Sequence, residues 1–186
     1  TIMSRKIRSE VEFSAVEIMV HEDGGHIKPS EVLADLDAAV YQCRDTHRLS
    51  IAAYSVDVDA PGDQYYAQFA ACCRLAKATR VVSVVVRSSE LGTPFNEEVE
   101  RLRAMAAIAT VEGVRIGLLT EAGRMTQDPD TAVVLCDSVK GLGITLDPSH
   151  YICGPHGGAG FEQVMRYVYH VRLRDTRKDQ FQVRVG

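Results

Sequence analysis

The sequence has no tryptophan, no C-x-x-C pair, no cluster of Lys and Arg and no long apolar run, and most of these absences narrow what the chain can be. Its formal net charge is -4 and its basic residues are dispersed, so nothing advertises a surface for a phosphate backbone, and nucleic acid is not an expected partner. No stretch approaches the roughly 20 apolar residues needed to span a bilayer, so no membrane partner is expected. The N-terminal "TIMSRKIRSEVEF" lacks the apolar centre of a signal peptide. The five cysteines (Cys43, Cys72, Cys73, Cys136 and Cys153) are odd in number and two are adjacent, which fits neither a disulfide framework nor a zinc knuckle. Four of them fall in expected helices among apolar neighbours, where a free thiol behaves as a small hydrophobe. The chain therefore reads as reduced and cytoplasmic. At 46% hydrophobic, 25% charged and 6% aromatic, the 186 residues have ordinary globular composition, and residues 1–186 read as a single domain.

What is present is a beat. Strand-like runs begin at Ala15 ("AVEIMV"), Leu49 ("LSIAAYSV"), Val81 ("VVSVVV"), Val114 ("VRIGLL"), Gly143 ("GITL") and Tyr169 ("YHVRL"), at spacings of 34, 32, 33, 29 and 26 residues. Each gap carries a helical pattern. "SEVLADLDAAVYQCRDTH" reads as one helix with Ser30 as N-cap, and "NEEVERLRAMAAIATVEG" as a helix closed by Gly113. "DPDTAVVLCDSVKG" opens with an acidic cap and a proline in the first turn, then stops at Gly141. Strand–helix alternation at this period is that of βαβ units, and runs apolar on both faces suit a parallel sheet covered by helices. After the first strand comes "HEDGGHIKPS", with neither G-x-G-x-x-G nor a Walker lysine, which disfavours an open nucleotide-binding sheet. The expected fold is a (β/α)8 TIM barrel. About six of its eight units are visible, with "RKIRSEVEF" read as the tail of a first helix, so the barrel is expected to be incomplete at both ends. More chain or a partner copy would then supply the missing strands, since bare parallel edges invite aggregation.

In such folds chemistry collects at the carboxyl ends of strands. There the sequence sets His21, Glu22 and Asp23, then Asp57 and Asp59, Arg87 and Glu90, Glu121, Asp147 and His150, and finally Arg172, Arg174 and Asp175. Carboxylates ending neighbouring strands converge, and with an imidazole beside them they suit Mn2+, Mg2+, Co2+ or Zn2+. An aspartate before proline is equally ordinary turn chemistry, so a turn reading of Asp147 stands beside the metal reading. His21, His26, His47 and His156 read by themselves as loop histidines, and Asp57 with Asp59 as a solvated loop. His170, Arg172 and Arg174 alternate, so they should share the barrel-facing side, where they require carboxylates or an anionic ligand. Arg174 with Asp175 is an alternative internal pair.

"VRIGLLTEAG", "GLGITLDPSHY" and "YHVRLRDT" resemble the motifs of the xylose-isomerase-like TIM barrels, a superfamily of sugar-phosphate isomerases and epimerases, ketose 3-epimerases, inosose dehydratases and an apurinic endonuclease. The resemblance runs from "AVEIMV" to "QFQVRVG" and is strongest between Val114 and Asp175. It implies a divalent cation held by Glu121, Asp147 and His150, with Glu121 also able to serve as the catalytic acid/base. It also implies that His150 can touch substrate; Arg172, Arg174 and His21 are further candidates for binding substrate. One departure stands out: Arg172 occupies the place of a histidine that ligates metal in many members, and a guanidinium cannot ligate a cation. The family's last metal carboxylate belongs to an eighth strand, outside the six visible units. The function so implied is a metal-assisted isomerase or epimerase on a small sugar, sugar phosphate or polyol, possible as a homo-oligomer. Its alternatives are a dehydratase or lyase on the same site, and a non-catalytic barrel that binds a sugar acid or phosphate through its arginines. A nuclease would need more histidines and a basic face, and ranks last.

Overall fold

The computed structural model describes residues 14–44, 46, 49–157, 160–177 and 179–184. The helix tail expected at "RKIRSEVEF" and the loop histidine His47 lie outside the described residues. Among these residues the strands are β1 (Ala15–His21), β2 (Ser50–Asp57), β3 (Ser83–Val86), β4 (Arg115–Leu119), β5 (Leu142–Leu146) and β6 (Val168–Val171). The α-helices are α1 (Pro29–Ala34), α2 (Leu36–Arg44), α3 (Gly62–Ala78), α4 (Phe95–Glu112), α5 (Pro129–Ser138) and α6 (Pro148–Cys153). Strands follow one another in the sheet in chain order, the order of a (β/α)8 barrel, of which six strands are present here.

The chain packs as two compact units. The first holds the described residues up to Val84 together with Ile108–Val114; the second holds Val85–Ala107 and the described residues from Arg115 onward.

In the first unit β1 and β2 run parallel, pairing Ile18 with Tyr54 and Val20 with Val56, and all four side chains are buried. Helix α3 contributes Phe69, Cys72, Cys73 and Ala76, a stripe at i, i+3, i+4 and i+7 that is wholly buried, as helical periodicity requires. The Tyr54 hydroxyl, deep in this core, is satisfied by Cys43 Sγ at 3.2 Å and Thr79 Oγ1 at 2.9 Å. The helix expected from Ser30 departs from its pattern. It begins at Pro29 and breaks at Asp35, whose backbone is extended (φ -148, ψ 92) and whose carboxylate accepts from the Ala38 N–H at 2.9 Å, opening α2. Ser30 is no cap: its N–H and hydroxyl donate to the Glu22 carboxylate at 2.7 and 2.9 Å.

In the second unit β4 and β5 pair in parallel, Gly117 beside Gly143 and Leu118 beside Ile144, and every residue of β5 is buried. The small residues are required. A Cβ on Gly117 would meet Thr145 Oγ1, and one on Gly143 would meet the ring of Tyr169, which itself lies under the Arg115 guanidinium. Helix α5 starts as the sequence indicated: Asp128 accepts from the Thr131 N–H at 3.0 Å with Pro129 next in line. Between β5 and β6 the register slips at Ile144/Thr145, so that Thr145 pairs with His170 and Leu146 with Val171.

Candidate functional site

Three strand ends of the second unit carry the chemistry. Arg87 follows β3, Glu121 stands two residues past β4, and Asp147 follows β5 directly. Neighbouring strands lie about 4.8 Å apart, so these side chains share one rim.

Asp147 is completely buried and each of its groups is used. Its N–H donates to Thr120 Oγ1 at 2.8 Å, and the same hydroxyl donates back to the Asp147 carbonyl at 3.1 Å, tying the tips of β4 and β5 together. Oδ1 accepts from the Ser149 N–H at 3.1 Å and the Ser149 hydroxyl at 2.5 Å, which makes Asp147 the N-cap of α6 with Pro148 at its first position. Oδ2 accepts from Arg174 Nη2 at 2.5 Å. Thus the "DPSH" stretch is turn chemistry and site chemistry at once. Arg174 is partnered across the sheet with Asp147, in place of the Asp175 pairing that was the alternative.

Glu121 is held by a fork. Arg87 Nε and Nη2 donate to its two oxygens at 2.8 and 2.5 Å, and Arg124 Nε lies 4.0 Å away. The backbone of Arg87 is fixed in turn. Glu98, buried to 0% exposure, accepts from the Ser89 N–H and hydroxyl and from Arg101, whose Nη2 reaches the Arg87 carbonyl at 3.0 Å.

His150 is half-buried on α6, its ring 5.0 Å from that of Phe181. The Ala122 N–H donates to Nδ1 at 3.1 Å, so the neutral ring carries its proton on Nε2, which lies 3.8 Å from Asp147 Oδ2. Burial holds this imidazole below its ordinary value; the Asp147 charge opposes that shift, while Arg174 and Arg172 add to it. Arg172 begins the segment after β6, its N–H donating at 2.9 Å to the carbonyl of Leu146, the residue that precedes Asp147.

The structure therefore brings Glu121, Asp147, His150 and Arg174 to one rim with Arg172 alongside. His21 belongs to the first unit, half-buried at the end of β1 with Nε2 3.3 Å from Ser55 Oγ. The sequence placed Arg87 on the rim but gave it no role. Thr120, Ser149 and Phe181 carried no signal beyond their adjacency to the motif residues.

The donor set does not fit a bound divalent cation in this arrangement. Among the described residues no three His, Cys, Asp or Glu side chains stand together as an ion requires. Both Glu121 oxygens face Arg87, and both Asp147 oxygens are engaged, one of them by Arg174. The two carboxylates of the ligand set expected from sequence are here held in ion pairs with Arg87 and Arg174.

The family described as Xylose isomerase-like TIM barrel matches residues 7–184. Among solved structures the chain is similar to a D-tagatose 3-epimerase-like protein, at 18% identity and TM-score 0.71 over 96% of this chain and 73% of that one. It is similar to the probable 3-DHS dehydratase AsbF of Bacillus anthracis, at 17% identity and TM-score 0.69, covering 96% and 71%. It is also similar to a xylose isomerase-like TIM barrel protein from Mycobacterium smegmatis in complex with magnesium, at 16% identity and TM-score 0.65, covering 89% and 77%. At these identities the likeness carries the fold alone. No curated protein matches the sequence. No helix among the described residues is long and apolar enough to cross a membrane.

Proposed function

Because this chain belongs to the xylose isomerase-like TIM barrel family, we propose that it is a sugar-modifying enzyme, an isomerase or epimerase acting on a small sugar, sugar phosphate or polyol. One observation carries this reading. The Ala122 N–H bond to His150 Nδ1 holds a carboxylate loop and an imidazole donor side by side, because Ala122 adjoins Glu121. Such reactions move a proton at the carbon next to a carbonyl and pass the electron pair to the carbonyl oxygen. The proton then returns to the adjacent carbon, or to the opposite face of the same one. Glu121 is the base: Arg87 takes one direction on each oxygen, and each keeps a further lone pair. Nε2–H of His150 donates to the oxygen on which charge develops. Arg172 and Arg174 hold the rest of the substrate. The five free cysteines suit a reducing compartment such as the cytoplasm.

The test is Glu121→Gln, assayed on a panel of ketoses and aldoses, free and phosphorylated. Turnover is lost while the circular dichroism spectrum is unchanged. Turnover retained in that variant would sink the assignment of Glu121.

The likeness to a dehydratase favours a second reading, loss of water at the same rim, and product analysis separates it from isomerisation. The magnesium complex of the M. smegmatis protein favours a metal-assisted form of either reaction, with Mn, Mg, Co or Zn on Glu121, Asp147 and His150. That form requires Arg87 and Arg174 to leave the carboxylates. Metal analysis of the purified protein with Asp147→Ala as control decides it. A partner copy is read out by sedimentation.

A further inference from the structure

We propose that the first unit carries a second ligand site, at the amino end of β2, which takes the phosphate group of a small phosphomonoester between Arg44 and Arg80. Strand β2 has eight residues and so runs roughly 23 Å. The site therefore lies a strand's length from Asp57 at the carboxyl end, the end at which this fold does its chemistry. The inference goes beyond the enzyme reading above and does not depend on it.

A cavity is the first ground. It holds about 550 Å3, within the range of small-molecule sites, and Arg44, Ser50 and Arg80 stand on its wall with Leu49 and Ile51. Cys43 and Thr79 also line it; they satisfy the Tyr54 hydroxyl and so root the wall in the core of the unit. No Asp or Glu is among its described lining residues. Among the described residues neither guanidinium has a carboxylate or carbonyl partner, and the Ser50 hydroxyl is unengaged as well. Both arginines are exposed, so lacking a partner costs them little; what sets them apart is that they share one concave wall without a counter-charge. Asp45, His47 and Arg48 of the same connection lie outside the described residues, and with a neutral histidine their formal charges cancel. Helices α2 and α3 end here, at Arg44 and Ala78, and each C-terminus brings about half a negative charge. Against two full guanidinium charges the balance stays positive.

The backbone of Arg80 is the second ground. Helix α3 closes with two bonds: the Arg80 N–H donates to the Lys77 carbonyl at 3.1 Å and the Val81 N–H to the Ala76 carbonyl at 2.8 Å. In this closure Arg80 is left-handed, at φ 62, and it is the one non-glycine residue with positive φ among the described residues. Glycine is the ordinary occupant of such a position, because a Cβ is disfavoured there. The backbone already satisfies these carbonyls, so the turn makes no use of the guanidinium. An arginine kept there at a conformational cost, with its side chain on a cavity wall, fits a binding role. The Thr46 and Thr79 hydroxyls are spent on the Leu49 and Leu75 carbonyls, at 2.7 and 2.8 Å, which leaves Arg44, Arg80 and Ser50 as the donors. Two guanidinium groups and a hydroxyl, with no carboxylate on the wall, match a phosphate monoester, which carries up to two charges and three acceptor oxygens. A carboxylate offers one charge and two oxygens.

The experiment is calorimetric titration of the full chain with inorganic phosphate and with sodium acetate at matched ionic strength, on the wild type, Arg44→Gln and Arg80→Gly. The expected result is saturable phosphate binding with a Kd of about 1 mM or below, weakened about tenfold in each variant, and weaker binding of acetate. Arg80→Gly removes the guanidinium and relieves the left-handed backbone. Its thermal midpoint without phosphate should therefore equal or exceed that of the wild type, so that lost binding is not lost folding. This variant keeps the test open if Arg44→Gln fails to fold. Added phosphate should raise the midpoint of the wild type more than that of Arg80→Gly. Absence of saturable phosphate binding overturns the proposal, and so does phosphate binding that Arg80→Gly leaves unaltered, which puts the anion elsewhere. Acetate bound more tightly than phosphate overturns the assignment to a phosphomonoester. A lowered midpoint in Arg80→Gly would show that the arginine serves the turn, and overturns the second ground.

Discussion

Arg174 Nη2 sits 2.5 Å from Oδ2 of Asp147, a fully buried carboxylate whose other oxygen is saturated by Ser149. A buried charge without its partner is costly, so the guanidinium and the carboxylate are each the condition for the other. Arg174→Gln is expected to destabilise the protein by about 1–3 kcal/mol, the range for a buried polar group stripped of one partner. Adding Asp147→Asn should recover much of that loss, because the charge left behind disappears with it. Urea denaturation of the two single variants and the double variant measures the coupling. Simple additivity would show that the pair does not act as one.

A loop in the first unit gives a sharper steric test. After β1 the chain turns back so that the His21 N–H bonds the Ile27 carbonyl at 3.1 Å and the His26 N–H bonds the Met19 carbonyl at 2.8 Å. A Cβ at Gly25 would lie 2.5 Å from the His21 carbonyl oxygen and 2.6 Å from its nitrogen. Backbone atoms cannot rotate away as a side chain can. Gly25→Ala should therefore cost about 1–3 kcal/mol, as overpacking does, and lower the thermal midpoint; an unchanged midpoint would contradict this turn.

The five thiols should differ sharply in reactivity. Cys43, Cys72, Cys73 and Cys136 are buried, and burial pushes the thiols of Cys73 and Cys136 up to about 12 and that of Cys72 higher still. The thiolate is the reactive form, so these four should resist a disulfide reagent in the native state. Cys153 is half-buried and should label first. Ellman titration without denaturant should count one fast thiol, none in Cys153→Ser, and all five in guanidinium.

Acid should reveal His150. Its folded value lies below the ordinary 6.5 because burial penalises the charged ring, with the Asp147 charge partly offsetting this. A depressed value means that the unfolded chain binds the proton more readily. The resulting stability is present above about pH 6.5, the ordinary histidine value, and is lost as pH falls through the folded value. Denaturation at a series of pH values should show the wild type losing more stability on acidification below neutrality than His150→Gln. Equal acid sensitivity of the two would remove the burial argument.

Much of this protein was legible in the linear sequence because the signals are local. The strand–helix beat, the Asp128–Pro129 start of α5 and the glycine that closes α4 depend on residues within a few positions of one another, and caps and periodicity act over that range. The placing of Glu121, Asp147 and His150 at strand ends followed from the same beat. The break at Asp35 was hidden because an apolar stripe can continue across a residue whose side chain prefers to bond its own backbone.

What the carboxylates would meet was a tertiary matter. Arg87 lies 34 positions from Glu121 and Arg174 lies 27 from Asp147, separations that no pattern of neighbours encodes. Strand register, including the slip between β5 and β6, sets which side chains face each other across the rim. The sequence by itself determined the βα alternation and which residues end the strands, since those are set by short-range sterics and hydrophobic period. Only the folded sheet decided that the carboxylates are matched to arginines, because ion pairing depends on distances between strands that the chain brings together only on folding.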